Sequence, residues 1–192
     1  MMSLTFNAKA SSLLLIGLLA ACGGPAKRSD TPASFRLQSS ELGDMRNVSA
    51  IDGFWIGGLP TVEDLDLAGR RGIVRVIDLR VPGEVLDYDL RAECARLGLG
   101  CVSINLRAAD DLPDSAVDVV LQGLSDPERH TLMFSGDGSR CAMFFAIHRV
   151  VQAGLDLEEG LYEARCAGMQ PGGPEDFVRS QVTRLGGAGT LN

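Results

Sequence analysis

From Asn47 onward the chain alternates two rhythms: short apolar, often β-branched runs, and longer stretches with an apolar residue every three or four positions. Asn47 to Gly58 carries two short strand-like pieces around Asp52-Gly53, the second being Phe54-Trp55-Ile56. Thr61-Val62-Glu63-Asp64 opens a helix with an N-cap threonine and early acids, and Gly72 closes it. Ile73 to Leu79 predicts a central strand, and Leu86, Leu90, Cys94 and Leu97 follow at helical spacing. Cys101 to Leu106 is the next strand, Val117, Val119, Val120 and Leu121 sit in a further helix, and Thr131 to Phe134 is a last short strand. A helix from about Cys141 to Gln152 places Met143, Phe144, Ile147 and Val151 on one side. Asp156 to Glu159 reads as a capping box for the next helix, and Pro174 and Gly186 bracket the last one. Strands joined by helices in this way predict an α/β fold with a central, mostly parallel sheet flanked by helices.

The N-terminus follows neither rhythm. Lys9 precedes the apolar run Leu13 to Leu19, which is too short to span a bilayer and has the form of a signal-peptide core. The tetrad Leu19-Ala20-Ala21-Cys22 resembles the bacterial lipobox, in which the cysteine is lipidated and becomes the first mature residue. An exported, lipid-anchored protein on the periplasmic side of a bacterial envelope is therefore expected. Gly23 in place of an acidic retention residue points to the outer membrane. The expected division is a leader over 1–21, a flexible tether over 22–46, a domain over 47–186 and a tail over 187–192.

With 192 residues there is room for one well-buried domain. A formal net charge of -7 argues against nucleic acid as the main partner while leaving room for a small local anion site.

Such a site is suggested by Phe134-Ser135-Gly136-Asp137-Gly138-Ser139-Arg140, a glycine-rich turn between a strand end and a helix start. Backbone N–H groups converge in a turn of this kind, the helix dipole favours an anion, and Arg140 can grip phosphate or sulfate with two parallel hydrogen bonds. The same sequence also suits a plain connection.

Three further stretches bear on the choice: Phe54 to Thr61, Gly72 to Arg80 followed by Glu84, and Leu99 to Leu106. In that order, with the turn, they resemble the bacterial dual-specificity/protein-tyrosine-phosphatase-like family, similar to the phosphatase-like domain of beta-lactamase-hydrolase-like proteins. The resemblance covers about residues 47 to 170. It implies a phosphatase-like fold, a phosphate cradle at Gly136, Asp137, Gly138, Ser139 and Arg140, a general acid near Asp110 or Asp111, and a positioning role for Arg80 and Glu84.

One departure is chemical. Where the family has His-Cys-x-x-Gly-x-Arg, Ser135 stands in the cysteine's place. A serine hydroxyl is not ionised near neutral pH and needs an adjacent base, which neither His130 nor His148 supplies in a recognisable arrangement. Asp137 sets a carboxylate beside the cradle, and paired acids in a polar loop such as Asp110 and Asp111 are more often simply solvated.

After Cys22, four cysteines remain; Cys94 with Cys101 and Cys141 with Cys166 is the preferred pairing, and four free thiols is the other. No metal or other cofactor is expected, since there is no Cys-x-x-Cys and no histidine pair at helical spacing. Three functions stay open: a degenerate phosphatase binding a phosphorylated or other anionic ligand or an envelope protein, an active phosphohydrolase without a cysteine, and a structural envelope lipoprotein.

Overall fold

The computed structural model describes residues 36–104, 106–108 and 111–186. The leader, Cys22, most of the tether, Asp110 and the tail over 187–192 lie outside the described residues.

Among the described residues six strands form one sheet: β1 (Gln38–Ser39), β2 (Ser49–Ile51), β3 (Phe54–Gly57), β4 (Arg75–Asp78), β5 (Gly100–Ser103) and β6 (Thr131–Phe134). The helices are α1 (Val62–Arg70), α2 (Leu90–Leu97), α3 (Asp114–Leu124), α4 (Ser139–Val151), α5 (Leu157–Cys166) and α6 (Gly173–Arg184). The spatial order is β1-β2-β3-β6-β4-β5, with β3, β6, β4 and β5 parallel and β1 and β2 antiparallel at one edge. Asp52 and Gly53 both take positive φ, 43° and 82°, the geometry that a two-residue hairpin between β2 and β3 requires.

Alternation along the parallel strands divides the interior into two layers. Phe54, Ile56, Ile77, Val102 and Met133 face a core shared with α3, α4, α5 and α6. Trp55, Val76, Cys101, Leu132 and Phe134 face the opposite core, shared with α1 and α2. The helix α4 lies deepest; Arg140 through His148 are all buried, so its sequence is apolar nearly all round rather than on one stripe.

The fold begins earlier than Asn47: the described part of the expected tether, 36–46, belongs to the domain. Leu37, Leu42 and Met45 are buried, and β1 pairs with β2. Asp64 explains the docking of this segment. Its Oδ1 accepts from the Asp44 N–H (2.8 Å), while its Oδ2 accepts from the Thr61 N–H (2.8 Å) and Asp64 N–H donates to Thr61 Oγ1 (3.1 Å). One buried carboxylate thus completes the capping box of α1 and holds the lead-in. Leu86 falls in the loop before α2, which starts at the Asp89 cap.

His148 packs between Phe54 and Phe145, with ring centroids 5.3 and 5.6 Å away, and its Nδ1 lies 2.7 Å from Gln152 Oε1. Burial holds its pKa below the usual 6.5, outweighing the Gln152 hydrogen bond that acts the other way. The unfolded chain therefore binds a proton first as pH falls, so stability is full above pH 6.5 and drops as pH falls through that value toward the folded pKa. Urea unfolding at pH 7 and pH 5.5 is expected to show that drop, and His148→Gln is expected to shrink it.

Candidate functional site

The carboxyl ends of β6, β4 and β3 and the start of α4 meet at one edge of the parallel sheet, where open α/β sheets place their ligands. The turn leaves β6 at Phe134 and enters α4 at Ser139, with Gly138 in the left-handed region at φ 86° as the N-cap. Its backbone rests on β3: the Ser135 N–H donates to Gly57 O (3.2 Å), and a Cβ on Gly138 would stand 2.9 Å from the Gly57 carbonyl carbon. From the other side Asn47 Nδ2 donates to Asp137 O (2.9 Å), so the lead-in before β2 also props the turn.

A cavity of about 670 Å³ opens here. Gly136, Asp137, Ser139 and Arg140 form its polar floor with Glu84, and Leu112, Met143, Pro174 and Phe177 form an apolar wall. Arg140 is 5% exposed; its Nη2 and Nη1 donate to Glu84 Oε1 at 2.8 and 3.3 Å, and its buried Nε has no partner among the described residues. Glu84 is fixed in turn, accepting from the Val81 N–H on Oε2 (3.0 Å) and from Arg80 Nη1 on its carbonyl oxygen (3.3 Å). Arg80 is clamped by Asp78, a buried carboxylate at the end of β4 that also accepts from Ser103 Oγ (3.4 Å). The chain Asp78, Arg80, Glu84, Arg140 thus carries the order of the sheet into the cradle. Gly136 is glycine because a Cβ there would collide with the Glu84 carboxylate.

Asp137 turns its Oδ1 onto the Ser139 N–H (3.0 Å) and hydroxyl (2.6 Å). Burial raises its pKa, but these bonds and nearby Arg140 outweigh burial and hold it below the usual 3.8. The carboxylate is therefore ionised at the rim of the cavity and opposes a dianion there.

Ser135 is fully buried and its Oγ accepts from the Gly138 N–H at 3.1 Å. No imidazole is near: His130 packs against Gly53 and Gly72, and His148 lies in the Phe54 and Phe145 cluster. Cys141, one position beyond Arg140, is no substitute nucleophile. It is fully buried, its Sγ lies 3.9 Å from Gly57 O, and burial pushes its thiol up to about 12.

Of the candidate acids, Asp110 is outside the described residues, and Asp111 is exposed, with its N–H on Ala108 O (3.3 Å) and no share in the cavity lining. Cys94, Cys101, Cys141 and Cys166 are all free thiols in this structure. Cys141 and Cys166 cannot face each other as placed, because Cys141 is turned inward onto β3 while Cys166 is exposed at the end of α5. The contribution of Asn47 and the apolar wall carried no signal in the sequence, since each is assembled from residues far apart in the chain. Among the described residues no cluster of metal-ligating side chains forms, and no helix is long and apolar enough to cross a membrane.

No protein-family profile and no curated protein sequence matches the chain. Solved structures do. TpbA of P. aeruginosa superposes with a TM-score of 0.62 at 23% identity, over 78% of this chain and 93% of that one. A cysteine-to-serine variant of TpbA in complex with pTyr gives 0.61 at 22%, over 82% and 99%. Kinase associated phosphatase with its catalytic-site cysteine substituted by serine gives 0.61 at 14%, over 69% and 87%. The α/β fold of this chain is that of the protein-tyrosine-phosphatase-like proteins.

Proposed function

We propose that this is a lipid-anchored envelope protein whose phosphatase-like domain binds a phosphorylated or otherwise anionic ligand, free or carried on a protein partner, without cysteine-dependent turnover. The observation that carries the reading is Arg140: a buried guanidinium, pre-positioned by Glu84, lining a cavity and keeping one donor unsatisfied. An unpaired buried donor costs free energy that an incoming oxyanion relieves, and the N–H groups of a glycine turn at a helix start add to the attraction. Ser135 in the nucleophile's place removes the thiolate while leaving this cradle intact. Support comes from the serine-substituted TpbA, whose structure contains pTyr. The anchor rests on Leu19-Ala20-Ala21-Cys22.

Calorimetric titration of the purified protein with phosphate, vanadate and phosphotyrosine, beside an aryl-phosphate hydrolysis assay, tests the reading. Binding without turnover is expected, with Ser135→Cys gaining measurable turnover because a thiol replaces the hydroxyl. Robust wild-type hydrolysis that Ser135→Ala abolishes would overturn it in favour of a serine-dependent phosphohydrolase. Absence of all anion binding would leave a structural lipoprotein.

A further inference from the structure

A pair of cysteines lies away from the anion cavity, at the corner between α2 and β5. The helix α2 ends at Gly98 in the left-handed conformation, φ 69°, and the chain reverses at once into β5. Two backbone bonds fix this corner: the Leu99 N–H donates to Cys94 O (2.8 Å) and the Gly100 N–H donates to Val74 O (2.9 Å). The register of β5 on β4 then sets Cys101 beside Val76, on the face that α2 covers. Cys94 comes down onto the same face from the last turns of α2, fully buried, while Cys101 packs beside it half-buried.

We propose that Cys94 and Cys101 form a thiol–disulfide exchange pair, in which half-buried Cys101 reacts with an external small-molecule disulfide and buried Cys94 resolves the product. The other two cysteines have no such arrangement. Cys141 belongs to the core on the opposite side of the sheet, and Cys166 stands exposed at the end of α5.

The pair is divided by burial in the sense this order needs, with Cys94 fully buried and Cys101 half-buried. Interaction with Cys94, aided by the Ser103 hydroxyl and against the pull of burial, lowers the Cys101 thiol from its ordinary value. The same contact with Cys101, together with burial, pushes Cys94 up. Cys101 is the thiol that solvent reaches, and so the one that meets an external disulfide as thiolate, while Cys94 is sealed beneath α2. Its sulfur attacks one sulfur of a disulfide such as oxidised glutathione; the external S–S bond breaks and one glutathione leaves as thiolate, which takes a proton from water. Cys94 then loses its proton to solvent and attacks the Cys101 sulfur of the mixed disulfide, expelling the second glutathione. Two protein thiols are oxidised to one disulfide and one external disulfide is reduced to two thiols.

The test uses the reduced, purified protein, oxidised glutathione, an alkylating quench and tryptic mass mapping. Arg96 separates the two cysteines, so an intramolecular bond appears as a linked pair of tryptic peptides. Wild type is expected to yield that pair. Cys94→Ser is expected to stop at a glutathione adduct on Cys101, and Cys101→Ser to leave Cys94 unmodified, with Cys166 modified alike in all three. The wild-type measurement needs no variant to fold. Failure of the linked peptides to appear while Cys166 carries its adduct overturns the proposal, as does an adduct on Cys94 in Cys101→Ser. Anion titration on the same sample is independent of this outcome, because the thiols do not line the anion cavity.

Discussion

Arg140→Ala should lower phosphate affinity by about a hundredfold or more. A hydrogen bond to a charged group contributes about 1.5–3 kcal/mol, and the guanidinium offers an oxyanion two of them, so about 3–6 kcal/mol is at stake. At about 1.4 kcal/mol per tenfold the lower bound already corresponds to roughly two powers of ten. Substitution also leaves Glu84 beside the cavity with its Val81 N–H bond and without its cation, adding repulsion of the same sign. Stability should fall too, by an amount tempered because the Glu84 side chain is 22% exposed and water can reach it. Arg140→Lys keeps the charge but loses the planar pair of donors, so its affinity should lie between the two. Calorimetry on both variants, with thermal melts to confirm folding, checks the prediction. Unchanged affinity in Arg140→Ala would reduce the turn to a connection.

The parts of this structure that were legible in the sequence are those whose cause is local. Val76, Ile77 and Leu79 of the first central run and Leu132, Met133 and Phe134 of the last are buried although they point to opposite faces of the sheet, so these positions must be apolar whichever way they point. Thr61 and Asp64 stand three apart because a capping box needs that spacing. Arg140 and its glycines were readable for the same reason: a turn that aims N–H groups inward leaves a composition behind it.

What the sequence hid depends on partners distant in the chain. Leu37, Leu42 and Met45 follow no period of 2 or 3.6, because they dock individually: Leu42 and Met45 pack with α1, whose Asp64 carboxylate holds this segment, while Leu37 joins the core on the other face of the sheet. The Leu86 to Leu97 spacing looks helical throughout, yet the segment from Arg80 to Asp89 is held as a loop by Asp78 and Glu84, a tertiary demand that outweighs periodicity. Glu84 lies 56 residues from Arg140, and spacing says nothing about such a pair. The cysteines divide in the same way. Cys94 and Cys101 are brought together by a corner only seven positions long, whereas the direction of Cys141 is set by which side of α4 meets β3.

Gly138→Ala should be the most damaging small substitution in the site, and comparison with Gly154→Ala separates its two causes. Gly138 has φ 86° and Gly154 has φ 72°, so each alanine incurs the left-handed penalty of about 1–2 kcal/mol. At Gly154 nothing lies within 4 Å of the added methyl, and that penalty is the whole effect. At Gly138 the methyl would meet backbone atoms of Gly57 at 2.9, 3.1 and 3.2 Å, and β3 is held by its ladder to β6 and cannot yield as a side chain would. Relief requires the turn to lift from the strand, which costs overpacking strain of about 1–3 kcal/mol more. The lift also breaks the Gly138 N–H bond to Ser135 Oγ and swings Arg140 away from the cavity floor. Urea unfolding should therefore show Gly138→Ala about 2–5 kcal/mol less stable than wild type and Gly154→Ala about 1–2. Phosphate binding should be lost only in the former. Equal destabilisation of the two, with binding preserved in both, would mean that the turn does not rest on β3 and that the cradle is held by the Glu84 side alone.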